Sequence, residues 1–184
     1  EFSLNFGGPG WIWGGTWVPK QYRNQNLLAS FMDLEGGKIF TGDLPTDAVL
    51  NPHDVPRSRP KILPEDRLVA VVAGRIAEGR LQASSLTNLT PHARERHLTW
   101  NIPPGHWRLM AFWLVDNSQQ FVVDCMSKDA MQYYCDHLGG KFRAAFGDEF
   151  GKTVESLFGD SFEVPIFRNG IYWNDGMLEE FKTR

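Results

Sequence analysis

Short apolar runs separated by turn residues dominate the first two thirds of the chain and predict β-strands. Residues 2–6 alternate apolar and polar side chains, as a half-buried strand does. From about residue 22 to residue 120 such runs recur between glycine and proline turns, which is typical of an antiparallel β-sandwich. The strands predicted in this region are residues 27–35, 38–42, 67–73, 80–83, 97–102 and 107–115.

Two turns in this region are predicted from their composition. Residues 103–106, with the sequence Pro-Pro-Gly-His, predict a hairpin that joins the last two strands. Residues 74–79 begin and end with glycine, and they predict a turn that leads into the strand at 80–83.

After residue 120 the apolar spacing changes from the two-residue period of strands to the period of helices. A short strand is predicted for residues 121–125, followed by a helix from residue 128 to about residue 146. Ser127 can cap this helix through its side-chain oxygen, and Gly147 ends it. The core-facing stripe is predicted to consist of Met131, Tyr134, Leu138, Phe142 and Ala145.

Two further predictions concern the glycines in the middle of this helix and the polar residues that precede the last helix of the chain. Glycine destabilises a helix interior by roughly 1 kcal/mol, so Gly139 and Gly140 predict a close packing contact or a kink. A last helix is predicted for residues 177–182, capped by Asn174 or Asp175.

A loop rich in glycine and tryptophan follows the first strand, at residues 7–19. Its five glycines and two prolines exclude regular structure. Trp11, Trp13 and Trp17 have two interpretations that the sequence leaves equal. They stack on the apolar faces of sugar rings, or they form the core beneath a rigid loop.

Two carboxylates follow the apolar run at residues 154–158, which predicts a short buried strand. Asp160 and Glu163 come just after this run, and an aromatic-rich segment at 167–173 comes next. Such an order is typical of the carboxyl end of a barrel strand that carries a sugar site. Asp is also common in turns, so Asp160 as a turn or cap residue is the alternative.

Composition places the chain among ordinary globular proteins and narrows its partners. Of its 184 residues, 42% are hydrophobic and 22% charged, and a net charge of −3 without a basic run argues against nucleic acid. No apolar run is long enough to span a membrane. The five histidines and two cysteines show neither metal-site spacing nor a disulfide framework.

The order of elements predicts an α+β fold in which an antiparallel β-sandwich is inserted between strand and helix segments resembling part of a (β/α)8 barrel. The predicted domains are 1–21, a barrel-like strand and Trp/Gly loop; 22–120, the sandwich; and 121–184, a barrel-like strand–helix–strand segment. A whole barrel takes about 250 residues. The flanks therefore either belong to a larger enzyme or pack as a smaller α+β domain.

Seven segments resemble, in the same order, motifs of the bacterial α-L-rhamnosidases of glycoside hydrolase family 106. Residues 8–19 resemble the family's "GPGW…GGPWVTP", residues 34–45 its "VEGGKKFSGKLP" and residues 98–107 its "LTWxVPxGxW". Residues 123–130 resemble "VDxLSxxA", 150–154 "FGKT", 160–163 "DSxE" and 174–181 "TPxxLEEF". The chain starts after the family's N-terminal part and stops before the rest of its barrel.

The resemblance implies a segment of a calcium-dependent enzyme that hydrolyses terminal rhamnosyl linkages with inversion. Two carboxylates flank the bond in such enzymes, about 6.5–9.5 Å apart, one as general acid and one as general base. By its place in the matching motif Glu163 is implied to be the general acid. Asp160 is implied to bind a sugar hydroxyl or calcium, or to orient its neighbours. No residue of the chain fits the partner base, so the isolated chain is expected to lack part of its chemistry.

The resemblance also implies a carbohydrate partner, a rhamnose-containing glycan, and a substrate-binding set. Asp124 either binds sugar or caps the following helix, with even support for each. The resemblance favours a bacterial periplasmic or secreted protein over a cytoplasmic one, although the residues leave localisation open. The residues expected to bind substrate are Trp11, Trp13, Trp17, Asp124, Asn169 and Trp173.

Two alternatives to a hydrolase segment remain at this point. One is a non-catalytic module that binds carbohydrate on aromatic residues exposed on one face of the sandwich. The other is an interaction domain that forms a homo-oligomer through the strand edges at residues 2–6 or 154–158.

Overall fold

The elements follow the apolar runs closely. The computed structural model describes residues 2–5, 14–48, 62–116, 122–158 and 170–184. Its strands are β1 (Phe2–Asn5), β2 (Gln25–Glu35), β3 (Lys38–Asp43), β4 (Arg67–Ala77), β5 (Arg80–Leu81), β6 (Thr87–Asn88), β7 (Ala93–Arg94), β8 (His97–Ile102), β9 (His106–Asp116), β10 (Val154–Phe158) and β11 (Ile171–Trp173). Its helices are α1 (Lys128–Tyr134), α2 (Gly140–Phe146) and α3 (Met177–Thr183).

The chain divides into two compact units. The sandwich unit comprises Leu27–Val115 and Arg168–Ile171. The flank unit comprises Glu1–Asn26, Asp116–Phe167 and Tyr172–Arg184. The predicted domain division at residues 21/22 and 120/121 stays a prediction.

Two sheets of the sandwich unit enclose its main core, a β-sandwich-like arrangement. One sheet has the order β3-β8-β7, and in the other β2, β9, β4 and β5 lie side by side, with β6 paired to β4. The pairings β3·β8, β7·β8, β4·β5, β4·β6 and β4·β9 are antiparallel. Because Leu98 and Ile102 of β8 pack in one cluster with Val71, Leu109 and Trp113, the core lies between the sheets.

The predicted hairpin at residues 103–106 is wrong, because β8 and β9 belong to different sheets. The chain crosses from one sheet to the other there instead of folding back within one. The turn between β2 and β3 makes the same kind of crossing, and the two turns bond to each other. Gly36 N–H donates to Gly105 O (2.7 Å) and Gly37 N–H to Ile102 O (2.9 Å).

Gly36 is required where these two turns meet. A Cβ atom added to it would overlap the carbonyl oxygen of Pro103 and stand 2.8 Å from that of Gly105. Both obstacles are backbone atoms, which move only if the crossing itself moves. The close approach of the two turns therefore depends on the missing side chain.

The turn predicted at residues 74–79 is shorter than expected. Strand β4 continues to Ala77, and the chain turns at Glu78 and Gly79, whose φ angles are 53° and 72°. Gly74 lies inside β4 opposite Arg108. Its role is to leave room, because an added Cβ would come within 2.7 Å of Leu81 Cδ1.

Trp113 connects several elements of the sandwich core through its indole. Its side chain is fully buried, and its indole Nε1–H donates to Ser30 Oγ (2.9 Å) and Pro45 O (3.2 Å). The guanidinium of Arg96 lies 4.7 Å from the ring centroid and donates to the backbone carbonyls of Asp66 (3.0 Å) and Leu63. One indole thus joins β9 to β2 and to the loops beyond β3 and β7.

In the flank unit, the predicted strands at residues 2–6 and 154–158 are confirmed as β1 and β10. They pair in parallel, with Leu4 opposite Leu157 and Asn5 opposite Phe158. Residue 121 of the short strand predicted at 121–125 lies outside the described residues. Among residues 122–125, Val122 and Val123 form isolated bridges with Gly14 and Arg23 instead of a regular strand.

The predicted helix at residues 128–146 is confirmed in extent but not in uniform winding. Ser127 Oγ accepts the N–H of Ala130 (3.3 Å), and Gly147 ends the helix with a φ of 46°. A π-helical segment, Cys135–Gly139, separates α1 from α2. Because a π turn adds a residue, the 3.6-residue spacing no longer predicts the buried face beyond it, and Ala145 is exposed.

The close-contact interpretation of Gly139 and Gly140 is wrong, because a Cβ added at either would meet nothing within 4 Å. The alternative, a kink, stays a prediction. The cap prediction for the last helix is corrected. The N-cap of α3 is Gly176 rather than Asn174 or Asp175. Asn174 Oδ1 accepts the Gly176 N–H (3.1 Å) and so shapes the turn just before the helix.

Gly36→Ala is expected to destabilise the sandwich by on the order of 1–3 kcal/mol or more, because backbone oxygens occupy the space. Gly140→Ala makes the same change in open space within a helix. It is expected to stabilise the protein by about 0.5–1 kcal/mol. Urea unfolding of both variants measures the difference, and equal stabilities would contradict the crossed-turn geometry.

Trp113→Phe is expected to cost about 1–3 kcal/mol for the lost buried hydrogen bonds, in addition to a cavity term. Trp100→Phe is the matched control, since Trp100 is half-buried and its indole bonds no described residue. Denaturant unfolding monitored by circular dichroism compares the two. A smaller loss for Trp113→Phe than for Trp100→Phe would show that the indole hydrogen bonds do not hold the core.

Candidate functional site

Two short extended segments of the flank unit position Asp124. Asn24 N–H donates to Val122 O (2.7 Å) and Asp124 N–H donates to Tyr22 O (2.8 Å). Arg23 and Val123 face each other in an antiparallel bridge between these bonds. Val122 and Val123 are buried, so Asp124 stands where an apolar run ends.

One oxygen of Asp124 is fixed and the other is open. The residue is 8% exposed, and its Oδ1 accepts the Met126 N–H (3.0 Å) and the phenol of Tyr172. Its Oδ2 has no hydrogen-bond partner among the described residues. A carboxylate held in this way can accept two more hydrogen bonds in a defined direction.

The cap alternative for Asp124 does not apply, because Ser127 caps α1. Asp124 instead closes the turn that precedes the helix: Ser127 N–H donates to Asp124 O (3.1 Å) and Met126 N–H to its carboxylate. Its role as a sugar ligand stays a prediction.

Tyr172 was missed as a site residue by sequence reasoning. It lies 48 positions from Asp124 in the chain, and its Oη is 3.3 Å from Met126 N. The available signal was its place in the aromatic-rich segment at residues 167–173, beside Trp173. Burial raises the pKa of the Tyr172 phenol, and the hydrogen bond to the Asp124 carboxylate raises it further.

Cys125, beside Asp124 in the chain, is a second group whose pKa is raised. Its thiol is half-buried, and burial, with the neighbouring Asp124 charge as a second cause, raises its pKa to about 11. At neutral pH the thiol therefore stays protonated, which suits a packed side chain better than a nucleophile.

Trp17 packs in the smaller core of the flank unit. This core consists of Val18, Val123, Ala130 and Tyr134, with Trp17 and others packed against it. The Trp17 indole stacks on His137, with ring centroids 4.5 Å apart and planes 6° apart. One indole face is thereby used, and sugar binding by Trp17 stays a prediction.

The remaining predicted site residues are placed as follows. Trp173 is half-buried in β11 directly after Tyr172. Trp11, Trp13, Asp160, Glu163 and Asn169 lie outside the described residues. Asp124, Trp17 and Trp173 are therefore the predicted site residues that the structure describes, and Asp124 accepts a hydrogen bond from Tyr172.

Metal binding has no donor cluster in the described part of the chain. No group of three or more His, Cys, Asp or Glu residues there could hold a metal ion. The Asp124 carboxylate already accepts two protein donors. Calcium therefore remains a prediction from the resemblance.

Comparison with known proteins found a partial similarity. Over 202 aligned positions the chain is 25% identical to a protein of Formosa agariphila named "Putative beta-glucuronidase". The alignment covers 92% of this chain and 17% of that protein, so the chain corresponds to a small part of its length. No family model and no solved structure matches the chain.

Among the helices of the described residues, none is long and apolar enough to cross a membrane.

Stability is expected to fall as pH rises from about 9 to about 11. An unfolded thiol ionises near its ordinary pKa of 9.0, whereas the folded Cys125 thiol resists ionisation up to about 11. The stabilising contribution is therefore complete below about pH 9 and is lost as pH rises through the folded pKa. Thermal unfolding midpoints across this range measure it.

The exposed Cys135 supplies the control for that measurement. Cys125→Ala is expected to reduce the alkaline fall of the midpoint, and Cys135→Ala is expected to leave it unchanged. Equal slopes in the two variants would assign the pH dependence to other groups.

Proposed function

We propose that the chain is a segment of a glycoside hydrolase, and that its flank unit holds a sugar at Asp124. The observation that carries the proposal is the Asp124 carboxylate, nearly buried, fixed at Oδ1 and open at Oδ2. Carboxylates are strong acceptors for sugar hydroxyls, and a pre-oriented one loses little entropy on binding. The similarity to the Formosa agariphila protein supports the same class of function.

The charge of the site favours a neutral sugar over a uronic acid. No Lys or Arg of the described residues forms an ion pair with Asp124, so its open oxygen presents negative charge. A uronate carboxylate within about 4–6 Å of it would be repelled. An α-L-rhamnoside carries no charge and meets no such repulsion, in agreement with the resemblance of the chain to α-L-rhamnosidases. The proposed substrate is therefore a terminal rhamnosyl linkage in a glycan.

In this proposal catalysis follows the inverting mechanism. Glu163 protonates the leaving oxygen, and Asp160 orients the sugar or its neighbours. The partner base lies in another part of the parent enzyme. The parallel pairing of β1 and β10 supports a barrel origin, since neighbouring strands of a (β/α)8 barrel are parallel. Calcium dependence and a periplasmic or secreted bacterial location complete the proposal.

A carbohydrate-binding sandwich is less well supported. Trp107 and Trp113 are buried in the sandwich core, and Trp100 packs against it. The exposed ring of Phe31 has a guanidinium over it, with Arg108 Cζ 4.0 Å from its centroid. The indoles of Trp107 and Trp113 therefore serve the core, and one face of the Phe31 ring is covered by Arg108.

One observation favours the interaction domain as a second candidate. Parallel strands normally lie inside larger covered sheets, yet the described sheet of the flank unit contains only β1 and β10. Further strands of the parent barrel or a second copy of the chain would satisfy their free edges. Sedimentation at several concentrations distinguishes these, because only a second copy makes the mass depend on concentration.

Sugar binding is expected to weaken about tenfold or more in Asp124→Asn, because hydrogen bonds to a charged group contribute about 1.5–3 kcal/mol. Asparagine can still accept from Tyr172 and Met126 through Oδ1, so the turn is retained. Titration with methyl α-L-rhamnopyranoside by NMR or calorimetry measures the affinity. Methyl β-D-glucuronide is the comparison ligand.

Asp129→Asn is the control, since it removes an exposed carboxylate of the same unit and is expected to bind normally. A wild-type chain that binds neither sugar would refute the proposal. Preference for the glucuronide would keep the hydrolase class and overturn the neutral-sugar assignment. Hydrolysis of 4-nitrophenyl α-L-rhamnopyranoside, abolished by Glu163→Gln, would extend the proposal to catalysis.

A further inference from the structure

The Asp124 carboxylate is held by one local and one distant hydrogen bond. The Met126 N–H, two positions along the chain, donates to Oδ1 (3.0 Å), and the phenol of Tyr172 donates to the same oxygen from β11. The Met126 N–H also approaches Tyr172 Oη (3.3 Å), so the three groups form one cluster. The local bond belongs to the turn before α1, whereas the phenol comes from a segment 48 positions away.

The phenol restricts a carboxylate that the turn alone would leave free to rotate. The terminal torsion of an aspartate is broad, so one hydrogen bond does not fix the plane of its carboxylate. A second donor that reaches Oδ1 from another element narrows this torsion and, with it, the direction of Oδ2. Oδ2 bonds no described residue and is not among the buried polar atoms that lack a partner, so it is in contact with solvent. The direction in which this oxygen points therefore depends on Tyr172.

Tyr172 is a durable donor for this task. Its side chain is half-buried, and burial raises the pKa of the phenol, with the hydrogen bond to Asp124 as a second cause. The hydroxyl therefore keeps its proton at neutral pH and donates to the carboxylate. Hydrogen bonds from a hydroxyl to a charged carboxylate are stronger than those between neutral groups.

We propose that Tyr172 is a positioning residue, whose phenol fixes the Asp124 carboxylate so that Oδ2 meets a sugar hydroxyl from one direction. This rests on the proposed function, since it explains how the Asp124 site is oriented for its sugar. Tyr172 acts through Asp124 and makes no contact of its own with the sugar. The two residues then contribute to sugar affinity as a coupled pair, and the phenol has no effect once the carboxylate is removed.

Removal of the hydroxyl tests this pair. Tyr172→Phe keeps the ring and deletes the donor, so the sugar itself must immobilise the carboxylate. Ordering one more side chain on binding is expected to weaken the affinity for methyl α-L-rhamnopyranoside about two- to tenfold, measured by NMR titration. Tyr133→Phe is the matched control. The Tyr133 hydroxyl, in the same unit, donates to the backbone carbonyl of Trp17 (3.3 Å), and its loss is expected to leave binding unchanged.

A double-variant cycle separates positioning from a structural role. Asp124→Ala removes both carboxylate oxygens, so adding Tyr172→Phe to it is expected to change the remaining affinity by less than about twofold. A structural role of Tyr172, or a direct contact of its phenol with the sugar, would weaken both chains by the same factor and overturn the inference. Normal binding by Tyr172→Phe, with weakened binding by Asp124→Asn, would also overturn it and leave the proposed function standing.

The wild-type chain gives a readout that does not depend on how a variant folds. The hydroxyl proton of Tyr172, assigned by its proximity to the ring protons of the same residue, is followed by NMR during titration with the rhamnoside. Its signal is expected to persist when the site is saturated, because positioning requires the bond to Asp124 in the free and the bound state. Loss of the signal on saturation would contradict the inference. A wild-type chain that binds no sugar would overturn both proposals.

Discussion

The sandwich unit depends on one indole N–H that cannot reach water. Trp113 is fully buried, so its donor must find a partner inside the protein or cost free energy. Ser30 Oγ and Pro45 O supply the partners, and Ser30 in turn donates to Pro45 O (2.5 Å). Arg96 covers the ring and holds two loop carbonyls. The position of the tryptophan therefore determines how β2, β9 and two loops meet, and the rest of the core packs around it.

Backbone contact at the crossing turns completes this arrangement. Where the chain passes from one sheet to the other, its backbone N–H and C=O groups no longer pair with a neighbouring strand. These groups then need other hydrogen-bond partners. Here the two crossings satisfy each other, and the indole Nε1–H of Trp107 donates to Pro103 O (2.9 Å). Proline has no N–H, so residues 103 and 104 leave no unsatisfied donor at the point where pairing stops.

The flank unit uses its polar groups differently. In the sandwich core the buried donor is satisfied, whereas in the flank unit Asp124 Oδ2 and the amides of Asn24 and Asn26 bond none of the described residues. Burial of a polar group without a partner lowers the stability of the fold. The aromatic residues differ in the same way: Trp107 and Trp113 are buried in the sandwich core, whereas the Tyr172 phenol bonds a carboxylate.

Local sequence determined the positions of strands and helices. Alternating runs located β2, β3, β8 and β9, and Ser127 and Gly147 set the ends of the long helix, because caps and periodicity act between near neighbours. Local sequence also singled out Asp124 at the end of an apolar run. Local sequence did not reveal the π segment, because tertiary packing and not the spacing of apolar residues determines where a helix takes up an extra residue.

Tertiary structure alone decided which strands share a sheet and which groups meet. A Pro-Pro-Gly-His sequence predicts a turn both in a hairpin and in a connection between two sheets. Only the strands that pair with β8 and β9 show which of the two it forms. Likewise, Tyr172 reaches Asp124 across 48 positions, and only the fold buries the Asn24 side chain away from hydrogen-bond partners among the described residues. Pairing, burial and hydrogen-bond satisfaction are properties of distant residues brought together, so no local pattern of the chain contains them.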